Sequence, residues 1–254
     1  MPRVLIAAAG LFFSFVSVAT PMVGGAPALP NAEARPEVML VGSRGNFCTG
    51  VAISRDLVLT AAHCVQAGAE YKLVELDAYR QPILRDVAVV ARHPQFNLKT
   101  MLAHRATADV ALVKLATPLK VTPAPLMGAR ARIAPGERFT VHGYGMSVRT
   151  DANSSATLRG ATLAAIGQPG SLQLRLVDPA TNGQAAGLGA CTGDSGGPVY
   201  QNAGGYLAVI GVVSWSTGPG GTAGCGGLTG ATPLELYRKW IIEQASKMGS
   251  PLTP

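Results

Sequence analysis

Hydrophobic positions come in short bursts along most of this chain. Val38 to Gly42, Gly50 to Leu59, Val87 to Arg92, Val110 to Leu115 and Phe139 to His142 are β-branched or alternating. So are Leu158 to Ile166, Leu172 to Val177 and Tyr206 to Trp215. Each is bounded by Gly, Pro, Asn or Asp, which predicts a strand. Short strands at this spacing predict an all-β barrel or sandwich. The stretch Lys120 to Pro135 carries Pro123, Pro125 and Pro135 and is expected to connect two halves. The end changes period. Leu236, Trp240 and Ile241 fall at helical spacing, Thr232 can cap, and Pro233 and Glu235 suit the first and third helical positions. A helix is therefore expected over 233–247.

The start differs again. After the positive opening Met1-Pro2-Arg3, Val4 to Ala19 is apolar apart from Ser14 and Ser17. Ser17-Val18-Ala19 is a small-x-small pattern, so residues 1–19 are expected to be a signal peptide. The run is slightly short for a membrane span, and no basic stop-transfer segment follows it. Export, to the periplasm or the medium, is the expectation, and it permits disulfides.

Composition adds limits. A chain of 254 residues can hold one or two domains and a sizeable core. Hydrophobic residues at 48% argue against disorder, while charged residues at 14%, with 31 Gly and 18 Pro, suit many short elements joined by turns. The formal charge of +7 becomes +6 once Arg3 leaves with the leader. Lys and Arg form no cluster, so a solvated basic surface is expected rather than a nucleic-acid site. Arg outnumbers Lys 15 to 6, and Ala is frequent, which hints at a GC-rich bacterial source.

The four cysteines, Cys48, Cys64, Cys191 and Cys225, allow three pairings. No C-x-x-C spacing occurs, which disfavours a zinc or thioredoxin-like site. The economical pairing is Cys48–Cys64 with Cys191–Cys225. Each bridge would close a local loop, with about 3 kcal/mol expected from loop entropy.

Three segments carry chemistry. Gly193-Asp194-Ser195-Gly196-Gly197-Pro198 places a hydroxyl among glycines. Serine is a poor nucleophile until a base takes its proton. Glycines let the backbone turn sharply and bring N–H groups close to a reacting carbonyl. A phosphate-binding loop would need a Lys and a following helix, and both are missing. Leu59-Thr60-Ala61-Ala62-His63-Cys64 ends an apolar strand with a histidine, and Ala108-Asp109-Val110-Ala111-Leu112-Val113-Lys114-Leu115 opens one with an aspartate. Alone, that histidine reads as structural and that aspartate as a turn residue or cap. Together the three segments supply a nucleophile, a base and a carboxylate to orient the base.

Here the chain resembles the trypsin/chymotrypsin family of serine proteases, in the manner of its secreted bacterial members. Thr60 to Cys64 matches the family's histidine motif, Asp109 to Leu112 its aspartate motif, and Gly193 to Pro198 its serine motif, in the same order. Phe47-Cys48-Thr49-Gly50 is similar to the strand whose cysteine pairs with the one beside the histidine. Gly143-Tyr144-Gly145 resembles the family's Gly-Trp-Gly turn, and Val213-Ser214-Trp215 the strand lining its cleft. The resemblance runs from about Met22 to Lys247. It implies two packed six-stranded antiparallel β-barrels, about 22–125 and 135–232, with the site between them and a C-terminal helix.

The resemblance also implies roles. Ser195 would attack the scissile carbonyl, His63 would move its proton, and Asp109 would orient His63 with support from Ser214. The N–H groups of Gly193 and Ser195 would form the oxyanion hole. His93, His104 and His142 fit no such motif and are expected to be structural or superficial. Met22-Val23-Gly24-Gly25 resembles the family's mature start, whose freed amine pairs with the aspartate before the serine, here Asp194. Cleavage after Ala19 would leave Thr20-Pro21 as the propeptide, removable by a dipeptidyl peptidase tolerant of Pro.

Trypsin-like members carry an Asp six residues before the serine to bind Lys or Arg, and Gly189 stands there. Asp194 is the only charged residue between Pro179 and Leu234. An uncharged substrate side chain before the cut bond is therefore expected, since a buried pocket holds a cation poorly without an opposing charge. Gly189, Ala190 and Gly227 suggest an open pocket, while Ser214, Trp215 and Ser216 would line its approach. Ser216 replaces the usual Gly, and nine residues separate Trp215 from Cys225, enough to reshape the wall. The expected partners are a protein or peptide substrate and a protein inhibitor, with no nucleic acid and no membrane once the leader is gone. No cofactor and no metal is expected, and the chain is expected to act as a monomer. The rival is a binding protein that keeps this fold without activity.

Overall fold

The computed structural model describes residues 23, 29–30, 35–77, 79, 81–128, 133–167 and 172–252. The expected leader, the Thr20-Pro21 dipeptide and Met22 lie outside the described residues.

Strands β1 (Glu37–Gly42), β2 (Phe47–Ser54), β3 (Leu57–Thr60), β4 (Tyr71–Leu76), β5 (Pro82–Arg92) and β6 (Ala111–Leu115) close into one antiparallel barrel in the order β1-β2-β3-β6-β5-β4. Strands β7 (Arg138–Gly143), β8 (Arg159–Ala165), β9 (Leu174–Val177), β10 (Pro198–Asn202), β11 (Leu207–Ser216) and β12 (Thr229–Pro233) close a second, in the order β10-β11-β12-β9-β8-β7. A short helix α1 (Leu98–Leu102) precedes β6, and α2 (Arg238–Lys247) ends the fold.

The near-continuous apolar runs in β3, β6 and β11 follow from burial on both faces. Val58, Val113 and Val38 point into the first barrel, and Phe139, Leu163 and Val213 into the second. The opposite faces meet each other. Leu57, Leu59 and Leu112 pack against Tyr200, Val209 and Val212, and Ile241 and Ala245 of α2 cover the same seam. By contrast β5 is largely exposed along its length.

Several expected elements differ. Gly50 to Leu59 is not one strand, because Arg55 and Asp56 form a hairpin turn with the Ser54 hydroxyl on the Asp56 carboxylate at 2.8 Å. Strands β4, β10 and β12 arise where none was expected. The helix does not begin at Pro233. Thr232 and Pro233 pair with Val212 and Gly211 in β12, a 3₁₀ turn follows at Glu235–Tyr237, and α2 starts at Arg238. The sheet ladder outweighs the capping preference of Thr232.

Candidate active site

Strand register brings the histidine and aspartate segments together. Thr60 at the end of β3 pairs with Ala111 at the start of β6, so the residues just past one and just before the other share one barrel end. His63 sits in the 3₁₀ turn Ala62–Cys64, which the Cys48–Cys64 disulfide ties to β2. Asp109 is fully buried. Its carboxylate accepts from the His63 amide at 2.9 Å, from His63 Nδ1 at 2.8 Å and from the Ser214 hydroxyl at 2.5 Å. A buried carboxylate needs such donors to offset its lost hydration. Because Nδ1–H donates to Asp109, Nε2 is the ring nitrogen left to take a proton.

The serine turn presses against the first barrel. Gly193 and Gly196 have φ of +97° and +79°, and a Cβ on Gly196 would lie 2.1 Å from Thr60 Oγ1. Thr49 of β2 grips the turn across the seam. Its amide donates to the Ser195 carbonyl at 2.9 Å, and its hydroxyl donates to the Gly193 carbonyl at 2.8 Å and accepts from the Tyr144 amide at 3.0 Å. The Gly193 and Ser195 amides themselves make no hydrogen bond among the described residues. They are free to meet a developing negative charge. His63, Gly193 and Ser195 line one cleft of 320 Å³ with Phe47, Thr192, Val213, Trp215 and Ser216. Ser195 Oγ makes no hydrogen bond to His63 here. Such contacts commonly tighten only with substrate bound.

A match to the trypsin family spans residues 22–241. The chain belongs to the trypsin family. It is a serine endopeptidase, and proteins or peptides are its substrates. It is 29% identical to trypsin of Phaedon cochleariae over 216 residues, covering 78% of this chain and 79% of that one. It is 29% identical to anionic trypsin of Canis lupus familiaris over 228 residues, covering 82% and 86%. Identity to transmembrane protease serine 9 of Rattus norvegicus is 31% over 258 residues, covering 92% of this chain but 23% of that longer protein. No helix among the described residues is long and apolar enough to cross a membrane.

Within this trypsin-family site Asp194 is a buried carboxylate held by the amides of Gly145 and Cys191, each at 2.8 Å. It has no salt-bridge partner among the described residues. Burial pushes its pKa up to about 7, against the pull of those two amides and the Arg159 charge. Met22, its expected partner, lies outside the described residues. Val23 is packed where a Gly226 side chain would go, its Cγ1 2.8 Å from that point.

The specificity segment differs from expectation in shape. Gly189, Ala190 and Gly227 are not among the residues that line the 320 Å³ cleft with Ser195. A Cβ on Gly189 would lie 3.1 Å from Gly226 Cα, and one on Gly227 would lie 2.1 Å from the Gly218 carbonyl oxygen. At both glycines the backbone of another segment comes close. The Ala190 amide donates to Thr229 Oγ1 at 3.0 Å. Cys191–Cys225 bridges the two walls, and the Ser216 hydroxyl donates to the Gly224 carbonyl at 3.2 Å. The long segment after Trp215 folds on itself through Pro219–Gly221, and Arg149 donates to its Ala223 carbonyl.

Some residues had no local signal. Thr49 is one. Another is a buried group at the seam, where Glu37 Oε1 lies 2.6 Å from His142 Nδ1 and accepts from the Tyr200 hydroxyl at 2.8 Å. Burial pushes the Glu37 carboxyl up, but hydrogen bonds from His142 and Tyr200 and the His142 charge outweigh it, and the net shift is downward. His104 is neither a core residue nor superficial: its ring stacks on Trp215 at the cleft, 4.6 Å between centroids. Ligand atoms of Cys48, His63 and Cys64 lie close together, but both sulfurs are spent in the disulfide and offer no thiolate to a metal.

Proposed function

We propose that this endopeptidase works through a triad of Ser195, His63 and Asp109 and an acyl-enzyme on Ser195. The observation that carries this is the Asp109 carboxylate, buried and hydrogen-bonded to both His63 and Ser214 beside a cleft lined by Ser195. His63 Nε2 takes the Ser195 proton as Oγ attacks the carbonyl carbon, then returns it to the leaving amine. Water, deprotonated by the same nitrogen, releases the acid. Asp109 fixes the tautomer and stabilises the imidazolium. The free amides of Gly193 and Ser195 hold the oxyanion.

The substrate side chain before the cut bond is uncharged: Gly189 stands six residues before Ser195, where an acid would be needed to oppose a cation, and Asp194 is the only charged residue between Pro179 and Leu234. Activation frees the amine of Met22, which neutralises Asp194. Two features support this: Asp194 is buried with no salt-bridge partner among the described residues, and Val23 is lodged against Gly226. Export as a secreted or periplasmic protein suits the apolar leader and the disulfides.

A fluorophosphonate probe tests the triad. Mass spectrometry should find one adduct, on Ser195, lost in His63→Ala. An adduct elsewhere, or one independent of His63, contradicts it. N-terminal sequencing of the active form should begin at Met22; an active form with residues still attached ahead of Met22 contradicts the activation step.

A further inference from the structure

Beyond Trp215 the cleft carries a charge that the sequence did not reveal. Trp215 in β11 pairs with Gly230 in β12, and Gly230 pairs with Arg175 in β9. The three residues form one cross-strand row, so their side-chain directions agree. Gly230 has no side chain, and a Cβ there would lie 2.1 Å from Trp215 Cε2. The indole therefore lies over the glycine, and the Arg175 guanidinium reaches it, with Cζ 5.7 Å from the ring centroid. His104, held at φ +53° after α1, stacks on the same indole at 4.6 Å.

Arg175 Nε donates to Gln173 Oε1 at 3.1 Å, and Arg175 has no carboxylate partner among the described residues. The Trp215 N–H is buried without an acceptor among the described residues. Asp109, the acid nearest in the chain to His104, is fully occupied by His63 and Ser214. Arg175 is thus a half-buried cation whose terminal nitrogens make no hydrogen bond or ion pair among the described residues.

The strand beside it is open. Past Val212, β11 no longer pairs with β10, and β12 covers only its other edge. An extended peptide can add to the free edge at Ser214–Ser216. From Trp215 the row leads two strands away from the Ser195 turn, roughly 10 Å at ordinary strand spacing. We propose that Arg175 selects an acidic substrate residue three or four positions before the cut bond, with His104 holding the Trp215 indole against the guanidinium. This rests on the protease reading above. The carboxylate forms charge-assisted hydrogen bonds to the guanidinium, which is planar and always charged.

The test uses peptides sharing one residue before the cut bond, taken from the cuts observed in denatured casein. Glu, Gln or Lys is placed in turn two, three and four positions before the bond. Glu should exceed Gln by about tenfold in kcat/KM at the third or fourth position and by little at the second. The advantage should shrink in about 0.5 M salt, where screening is short-ranged. Arg175→Met should bring the Glu-to-Gln ratio near one, Arg175→Lys should retain part of it, and Arg175→Glu should favour Lys. A wild-type ratio near one, or a ratio that Arg175→Glu leaves unchanged, overturns the inference while leaving the protease reading intact. Absence of Ser195-dependent cleavage of casein and of every peptide overturns both.

Discussion

The two sides of the cleft are held in different ways. On the first barrel, His63 and Asp109 sit at the ends of paired strands, and each polar atom of the Asp109 carboxylate has donors within 2.9 Å. On the second, Gly193 to Gly197 is a glycine-rich turn with no strand of its own. It is held by Thr49 across the seam, and the Asp194 carboxylate within it is buried. The difference teaches where control can enter. On the proposed reading, the base is set by the strand pairing of the first barrel, whereas the nucleophile and its oxyanion donors sit beside a buried acid.

The largest effect should come from breaking the first side. Asp109→Asn leaves the shape but lets the histidine adopt the wrong tautomer, and kcat should fall on the order of 10⁴-fold, the size typical of triad aspartates in this family. Steady-state kinetics on a peptide amide checks it, and KM should change little. On the second side, Gly193→Ala places a Cβ 2.9 Å from Gly145 Cα at φ +97°, where neither backbone can yield cheaply. The turn must shift, and kcat should drop about 10²- to 10³-fold as one oxyanion donor is displaced.

The seam can be probed apart from the chemistry. Glu37→Gln removes the charge facing His142 and should cost about 3 kcal/mol at neutral pH, measured by denaturant unfolding. The sign with pH follows from the downward shift. Glu37 stabilises the fold above its ordinary 4.5, and that stability is lost as pH falls below 4.5. Wild type and Glu37→Gln should therefore converge in acid. The smallest effect is expected from Thr49→Val, which removes the hydroxyl that donates to the Gly193 carbonyl and accepts from the Tyr144 amide; kcat should fall about tenfold. If the His63 Nδ1 proton bonded to Asp109 is still seen by NMR in this variant while kcat falls, the two sides are separable as described.

Much of the site was legible because each of its motifs is local. Thr60 to Cys64, Asp109 to Leu112 and Gly193 to Pro198 are continuous segments whose chain order alone carries meaning. The barrels were legible from β-branched runs, but β12 was not, because Thr229 to Pro233 mixes Gly, Thr and Pro and belongs to the sheet only through its neighbours. Thr49, Arg175 and the Glu37, His142 and Tyr200 group act across strands distant in the chain. Their roles appear only once register sets the strands side by side. At the glycines at 189 and 227 the sequence alone does not distinguish space from closeness, since an absent side chain signals either.

Digestion of denatured casein by protein beginning at Met22, with Ser195→Ala beside it and the peptides mapped by mass spectrometry, tests the central claim most directly. The account predicts cuts that vanish in Ser195→Ala and follow uncharged residues. Cuts that persist in Ser195→Ala, or that follow Lys or Arg, would contradict it.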